Sequence, residues 1–104
     1  MKIETMRNVA VIYSGGDAPG VNAILSGLCH GGESVRLLAF PGGYDGLVNR
    51  RPLVLSREMD WGKAVTDGYS LISTSRAALP RTEQGRRRIV EALKKQDIHT
   101  LVVL

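Results

Sequence analysis

Short apolar runs recur along the chain and predict its strands. Val9–Tyr13 and Val35–Phe40 are dominated by β-branched and other apolar residues, and Leu101–Leu104 is entirely apolar. Runs of this kind and length are typical of strands that are buried on both faces, as parallel strands are. We therefore expect three buried strands, the last of them at the end of the sequence.

Two segments between these runs show the 3.6-residue periodicity of amphipathic helices. Val21 and the apolar residues three, four and seven positions later predict a helix from Pro19 to about His30, which the following glycine pair would end. Thr82 is expected to cap a second helix over residues 83–96. Its expected buried stripe is Ile89, Val90 and Leu93, with Arg87 and Glu91 paired on the solvent side.

The order strand–helix–strand is a βαβ unit, which requires parallel strands and a right-handed crossover. The sequence therefore predicts an α/β fold, a three-layer sandwich around a mostly parallel, Rossmann-like sheet. The signals between the second strand and the second helix are weaker. They predict an extended edge piece at Arg51–Leu55, a short helix capped by Asp60 and stopped by Asp67-Gly68, and a brief strand or turn at Leu71–Arg76. After the second helix, Asp97–Thr100 is expected to form the connection to the third strand.

A glycine pair directly follows the first predicted strand. The segment Ser14–Gly20, here called the first glycine segment, reads Ser-Gly-Gly-Asp-Ala-Pro-Gly. Gly15 and Gly16 lack a Cβ, so backbone and ligand can approach closely, and the next helix start offers unpaired N–H groups to phosphate. The pattern is neither the P-loop nor the dinucleotide-binding G-x-G-x-x-G. The alternative that this is a strand–turn–helix connection that binds no ligand therefore stays open. Asp17 could cap the helix or contact a ligand.

Two further segments are expected at the same rim of the sheet. The second glycine segment, Gly42–Leu47, follows the second strand and contains Tyr44, an aromatic ring that could cover a flat base. The third segment, Ser73–Arg76, ends in an arginine whose planar guanidinium suits phosphate oxygens. Open α/β sheets bind ligands at the carboxyl ends of their strands. Phosphoryl transfer needs mainly positioning and charge neutralisation, so the three segments indicate a phosphate-handling site.

The string Ser14–Ala23 resembles the opening motif of the phosphofructokinase family, and similarity to that family extends from Val9 to Leu104. Gly43–Leu47 is similar to the glycine–aromatic–glycine loop that lies along the adenine in ATP-dependent members, and Ser75-Arg76 looks like the element whose arginine contacts the donor phosphates. The resemblance implies a 6-phosphofructokinase, which uses magnesium to move a phosphoryl group from ATP or pyrophosphate to the 1-hydroxyl of fructose 6-phosphate in glycolysis. The candidate donor-binding residues are Gly15, Gly16, Asp17, Tyr44 and Arg76, and Arg76 is also the candidate catalytic residue.

The resemblance leaves the donor open between ATP and pyrophosphate. Asp17 and Tyr44 match the ATP-dependent pattern, whereas the spacing from Leu71 to Gln84 and the run Leu38–Gly43 are closer to the pyrophosphate-dependent class. We lean to ATP because Tyr44 would touch the base itself. Ser26 and His30 are not the arginines that bind the regulatory nucleotide in bacterial members, which puts that regulation in doubt.

The resemblance also bears on how much of the enzyme is present. The family's acidic Gly-Gly-Asp loop, which holds magnesium, would begin immediately after Leu104. Residues 1–104 are therefore interpreted as a single partial domain, the donor-binding amino-terminal segment of a longer enzyme, inactive alone. The complete enzyme is expected to be a homo-oligomer, a dimer or a tetramer.

Composition and charge bear on the location of the protein and on its partners. The 43% hydrophobic and 23% charged residues are ordinary for a soluble domain, and no apolar run approaches the roughly 20 residues that span a bilayer, so we expect a cytoplasmic protein without membrane contact. Cys29 is the single cysteine and is expected to be a buried structural thiol. The net charge of +4 is concentrated on the second predicted helix, where no aromatic residues interleave to stack bases, so nucleic acid is not the expected partner.

Three other hypotheses stay open at this point. The chain could be a non-catalytic regulatory module that binds a nucleotide or phosphate through the same glycine segments. It could bind nucleic acid through the Arg86–Arg88 face, with an affinity that falls steeply with salt. It could also be a fragment with no independent role.

Overall fold

The chain folds into one mixed sheet with helices on both faces. A computed structural model describes residues 7–14, 20–31, 35–66, 71–73 and 78–104. The strands in chain order are β1 (Arg7–Ile12), β2 (Val35–Ala39), β3 (Leu53–Val54) and β4 (Ile98–Val103). The α-helices are α1 (Val21–His30), α2 (Gly43–Asn49), α3 (Trp61–Thr66) and α4 (Glu83–Lys95), and one 3-10 turn covers Leu79–Arg81.

The sheet has the strand order β3-β2-β1-β4, with β1 at its centre. β1 runs parallel to β2, with Val9 opposite Leu37, and parallel to β4, with Ala10 opposite Leu101. The pairing of β1 with β4 shifts register between Asn8 and Val9. β3 is antiparallel to β2. The predicted mostly parallel sheet and the parallel βαβ unit are therefore confirmed.

Side chains alternate between the two faces of the sheet and build two separate cores. Cluster 1 contains Val11 of β1 with residues of α1 and α3, including the buried Trp61. Cluster 2 contains Ala10 and Ile12 of β1, and it packs under α2 and α4. Because α1 and α3 lie on one face and α2 and α4 on the other, the chain forms the predicted three layers.

Helix α2 lies where the sequence predicted only a glycine-rich loop. Gly42 and Gly43 have φ of +86° and +60°, a left-handed backbone that places the start of the helix directly after β2. A Cβ at Gly46 would overlap the Pro41 carbonyl oxygen, so this helix depends on a glycine in its interior. Glycines usually weaken helices, and their density hid the helical signal.

The predicted cap of helix α4 is confirmed, but two of its predicted side-chain contacts are wrong. The Thr82 hydroxyl accepts a hydrogen bond from the Gly85 N–H at 2.9 Å. Val90 was expected to be buried but is 46% exposed, because the helix packs through Ile89. Arg87 pairs with Glu83, at 2.8 Å, and not with Glu91. Both alternatives satisfy the i, i+4 rule, and the pair at the amino end also favours the helix dipole.

Strand β4 is longer and less buried than predicted. It begins at Ile98, so the predicted connection at Asp97–Thr100 is wrong: the turn is at Gln96-Asp97, where Asp97 has a φ of +55°. Val103 is 46% exposed, and Leu101 and Val102 are only half-buried. Within the described sheet β4 is the outer strand beside β1, so an apolar run did not mean burial on both faces.

The predictions for Arg51–Leu55 and Asp60 are confirmed, whereas Leu71–Ser73, the described part of the predicted strand or turn, is a bend and not a strand. β3 is an edge strand within the predicted extended piece, and the Asp60 side chain accepts from the Lys63 N–H at 3.0 Å at the start of α3. Cys29 is buried in cluster 1. The expectations for Pro19, Gly32 and Asp67-Gly68 lie outside the described residues. Among the described helices, none has the length and apolar character to cross a membrane.

Candidate functional site

The rim at the carboxyl ends of the parallel strands brings together the starts of the segments that the sequence singled out. The Ser14 N–H donates to the Leu104 carbonyl at 3.2 Å, and the Leu104 N–H donates to the Ile12 carbonyl at 2.9 Å. The first glycine segment therefore leaves the sheet beside the end of β4. The two connections beside this point lie on opposite faces of the sheet. The connection from β1 to β2 contains α1, which packs in cluster 1, and the connection into β4 contains α4, which packs in cluster 2.

This divergence is the topological switch point of an open α/β sheet. Strand order reverses at β1, with β2 on one side and β4 on the other. The crevice outside the carboxyl ends of the strands at such a point is where sheets of this class bind ligands. Ser14 is half-buried at this position, and α1 begins only seven residues later at Val21.

The start of α1 lies at this rim, and its N-cap residue provides no side-chain cap. Gly20 at the N-cap has a φ of +89°, and it makes no side-chain hydrogen bond to the first turn. Its carbonyl accepts the first helical hydrogen bond, from the Ile24 N–H at 3.1 Å. The N–H groups of a helix start carry partial positive charge and attract anions.

The second glycine segment and the third segment meet by a direct hydrogen bond. The Gly42 N–H donates to the Ser73 carbonyl at 2.9 Å, and the neighbouring Phe40 N–H donates to the Val11 carbonyl at 3.0 Å. Ser73 itself is exposed. The structure therefore places the turn before α2 and the end of the Leu71–Ser73 stretch side by side at the rim.

Tyr44 is the predicted site residue that the structure describes. It lies in the first turn of α2 and is half-buried, packed against cluster 2. Its ring therefore has a packing role whatever else it contacts. Its predicted contact with a base stays a prediction. The other predicted site residues, Gly15, Gly16, Asp17 and Arg76, lie outside the described residues.

Asn22 is a residue that reasoning from the sequence missed. Its side chain is buried, with a relative exposure of 6% for the residue. Its amide nitrogen donates to the Ala64 carbonyl of α3 at 2.7 Å, and its amide oxygen accepts from the Leu71 N–H at 2.7 Å. The available signal was its place at helical spacing with Leu25 and Cys29, since a polar side chain on a buried helix face must find partners.

Acidic residues do not cluster in the part of the chain that the structure describes. No group of three or more His, Cys, Asp or Glu side chains there is arranged to hold a metal ion. The rim instead carries the hydroxyl-bearing residues Ser14 and Ser73 and the start of α1 after Gly20. Such a donor set suits the oxygens of an anion.

Comparison with known proteins agrees with this geometry. The model of the phosphofructokinase family matches residues 8–104. An ATP-dependent 6-phosphofructokinase of Clostridium botulinum (strain Hall) is 37% identical over 95% of the chain and 31% of its own length. The enzyme of the same name from Clostridium tetani is 31% identical over the same shares.

Solved structures show the same fold. A phosphofructokinase from Pichia pastoris in the T-state superposes with a TM-score of 0.80 at 23% identity, over 99% of this chain and 12% of that one. The Saccharomyces cerevisiae phosphofructokinase gives a TM-score of 0.67 at 24% identity, over 94% and 13%. With the family model covering nearly all of its residues, the chain belongs to the phosphofructokinase family. It spans about a third of the length of the curated relatives it matches.

Proposed function

We propose that this chain is the donor-binding amino-terminal part of a 6-phosphofructokinase. The complete enzyme transfers a phosphoryl group from ATP to the 1-hydroxyl of fructose 6-phosphate. The observation that supports this most is the rim, where the first turn of α1 and the Gly42–Ser73 contact lie at the carboxyl ends of β1 and β2. Backbone N–H groups gathered at that edge are suited to a polyphosphate.

Each candidate residue has a proposed role in holding the donor. Gly15 and Gly16 let the backbone approach the phosphates, and Asp17 contacts the donor or caps α1. Tyr44 lies along the adenine. Arg76 binds the phosphates and neutralises the charge that develops on the transferred group, which makes it the proposed catalytic residue of this chain.

ATP is the proposed donor. The two clostridial relatives described above are both named ATP-dependent, which adds to the match of Tyr44 with the ATP-dependent pattern. The features closer to the pyrophosphate-dependent class make inorganic pyrophosphate the competitor to test. A pyrophosphate molecule has no base, so it would gain nothing from an aromatic ring at residue 44.

Magnesium does not fit a site among the described residues, which provide no carboxylate cluster. We place its ligands outside this chain, in the remainder of the complete enzyme, and assign no step here to the ion. The same remainder would supply the general base and the fructose 6-phosphate site. The complete enzyme is proposed to be a cytoplasmic homo-oligomer with no nucleic-acid partner.

The testing experiment is a coupled assay on the protein encoded by the complete gene, with ATP or pyrophosphate as donor and fructose 6-phosphate as acceptor. Arg76→Ala is expected to lower kcat by about a hundredfold or more, because removal of one charge-stabilising donor typically costs that much. Arg87→Ala is the matched control, since it removes an arginine that pairs with Glu83 on the exposed face of α4.

Three results would contradict the proposal. An Arg76→Ala enzyme with unchanged kcat would make Arg76 a binding or structural residue only. Activity with pyrophosphate but not with ATP would show that pyrophosphate is the donor. Nucleotide binding without any transfer would favour the non-catalytic module.

A further inference from the structure

A short stretch with a buried central residue links the starts of α1 and α2. Leu71–Ser73 is held at its beginning by Asn22, whose amide oxygen accepts from the Leu71 N–H at 2.7 Å. It is held at its end by Gly42, whose N–H donates to the Ser73 carbonyl at 2.9 Å. Ile72 between them is fully buried in cluster 1. We call Leu71–Ser73 the brace.

Asn22 anchors the brace from a rigid part of the fold. It is the second residue of α1, it is buried, and its amide nitrogen donates to the Ala64 carbonyl of α3 at 2.7 Å. One side chain therefore fixes α1, α3 and the brace to each other. A buried amide held on both its oxygen and its nitrogen cannot rotate without leaving backbone groups unpaired.

The far end of the brace controls how α2 begins. Gly42 is the N-cap of α2, with a left-handed φ of +86°, and its carbonyl accepts the first hydrogen bond of that helix, from the Gly46 N–H at 3.2 Å. The bond from Gly42 to Ser73 fixes the orientation of this turn. Tyr44 follows two residues later, so the position of its ring depends on the same turn.

We propose that Asn22 is a positioning residue, which acts through the brace to set the turn at Gly42 and so the place of Tyr44 at the rim. The functional half of this proposal rests on the proposed function, in which Tyr44 contacts the nucleotide donor. The structural half, the coupling of Asn22 to Gly42, rests only on the two hydrogen bonds and the buried Ile72.

Amide hydrogen exchange in the complete protein tests the structural half. Asn22→Ala is expected to speed exchange of the Leu71 and Gly42 amides by about tenfold or more, since Leu71 loses its acceptor and the Ser73 carbonyl that accepts from Gly42 is no longer held by the brace. Asn8→Ala is the matched control, because Asn8 also donates from its amide to a backbone carbonyl, that of Gln96 at 3.2 Å, but at the amino half of β1. It should leave both amides unchanged.

Faster exchange at Leu71 with unchanged exchange at Gly42 would overturn the coupling. Unchanged exchange at both amides would overturn the role of Asn22 itself. Should Asn22→Ala fail to fold, Asn22→Ser removes the same two long contacts with less loss of polar character, and it must show the same pattern.

Kinetics in the complete enzyme test the functional half. Asn22→Ala is expected to raise the KM for ATP by about tenfold while the KM for fructose 6-phosphate stays within about twofold, and Asn8→Ala should change neither. In a Tyr44→Leu background, which keeps apolar bulk but lacks the ring, Asn22→Ala should add less than about twofold.

Fully additive effects of the two substitutions would show that Asn22 does not act through Tyr44. A Tyr44→Leu enzyme with an unchanged KM for ATP would instead overturn the role of Tyr44 in the proposed function, and with it the functional half. The exchange experiment would still decide the brace, so the two failures are distinguishable.

Discussion

Helices α1 and α4 both connect into parallel strands, but their first turns are closed in different ways. At α4 the Thr82 hydroxyl accepts from the Gly85 N–H at 2.9 Å, and the preceding 3-10 turn packs so closely that a Cβ on Gly85 would overlap the Leu79 carbonyl. At α1 the N-cap is Gly20, which has no side chain to offer. A Cβ there would meet nothing within 4 Å.

The difference separates a helix whose N-cap side chain covers a first-turn N–H from one whose N-cap residue has no side chain to do so. Every helix begins with N–H groups that lack intrahelical partners. The turn before α4 covers one of them, the Gly85 N–H, with the Thr82 hydroxyl. The turn before α1 has a glycine at the corresponding place, at the rim where the first glycine segment arrives. We expect substitutions at α4 to change stability and substitutions at α1 to change ligand binding.

The largest effect is expected at Gly85. Gly85→Ala should lower the free energy of unfolding by about 1–3 kcal/mol, because the added Cβ must displace the Leu79 carbonyl and the Thr82 cap. Gly27→Ala in the middle of α1 is the matched control, since its Cβ meets nothing within 4 Å. It should raise stability by about 0.5–1 kcal/mol. Urea unfolding followed by circular dichroism measures both, and equal signs would contradict the packing argument.

A smaller effect is expected from Thr82→Ala, which removes the cap of α4. The loss should be about 1 kcal/mol, seen as a lower Tm. The rise in Tm that saturating ATP produces should be the same in Thr82→Ala and in the unchanged protein, because Thr82 is not one of the proposed donor-binding residues. A reduced ATP-induced rise would show that the two helix starts are coupled, and the contrast between them would be lost.

The smallest effect is expected at the exposed pair in the first turns of α4. Arg87 and Glu83 lie 2.8 Å apart, but their side chains are 74% and 73% exposed. Glu83→Gln should therefore change the free energy of unfolding by about 0.5 kcal/mol or less, and the change should shrink further with added salt. A salt-independent loss above about 1 kcal/mol would mean that Glu83 supports the α4 start in some way beyond this pair.

Most of the helices and strands could be predicted from the sequence, because each of those depends on the pattern of apolar and polar residues within it. The apolar runs of β1 and β2, the periodicity of α1 and the Thr82 cap are all properties of neighbouring residues. Helix α2 could not be predicted in this way, since it requires Gly46 to lie against the Pro41 carbonyl, a contact that no periodicity encodes.

The candidate site divides along the same line. Glycine and aromatic residues after the strands indicated a site at the carboxyl ends of the strands, and the Gly42–Ser73 bond brings two of the three segments together there. The role of Asn22 depends on Ala64 and Leu71, which are 42 and 49 residues away in sequence. Contacts of such range follow from tertiary packing alone. The exposure of Val90 beside the buried Ile89 likewise depends on which side of α4 the sheet happens to cover.

The position of Trp61 decides what an optical experiment on this chain would observe. It is the one tryptophan of the 104 residues, it is buried in cluster 1, and its indole N–H donates to the Ser56 carbonyl at 2.9 Å. Its ring meets His30 edge-on, with centroids 6.4 Å apart. Its fluorescence therefore reports on the α1 and α3 layer, while loosening confined to the α2 and α4 layer would leave the emission unchanged.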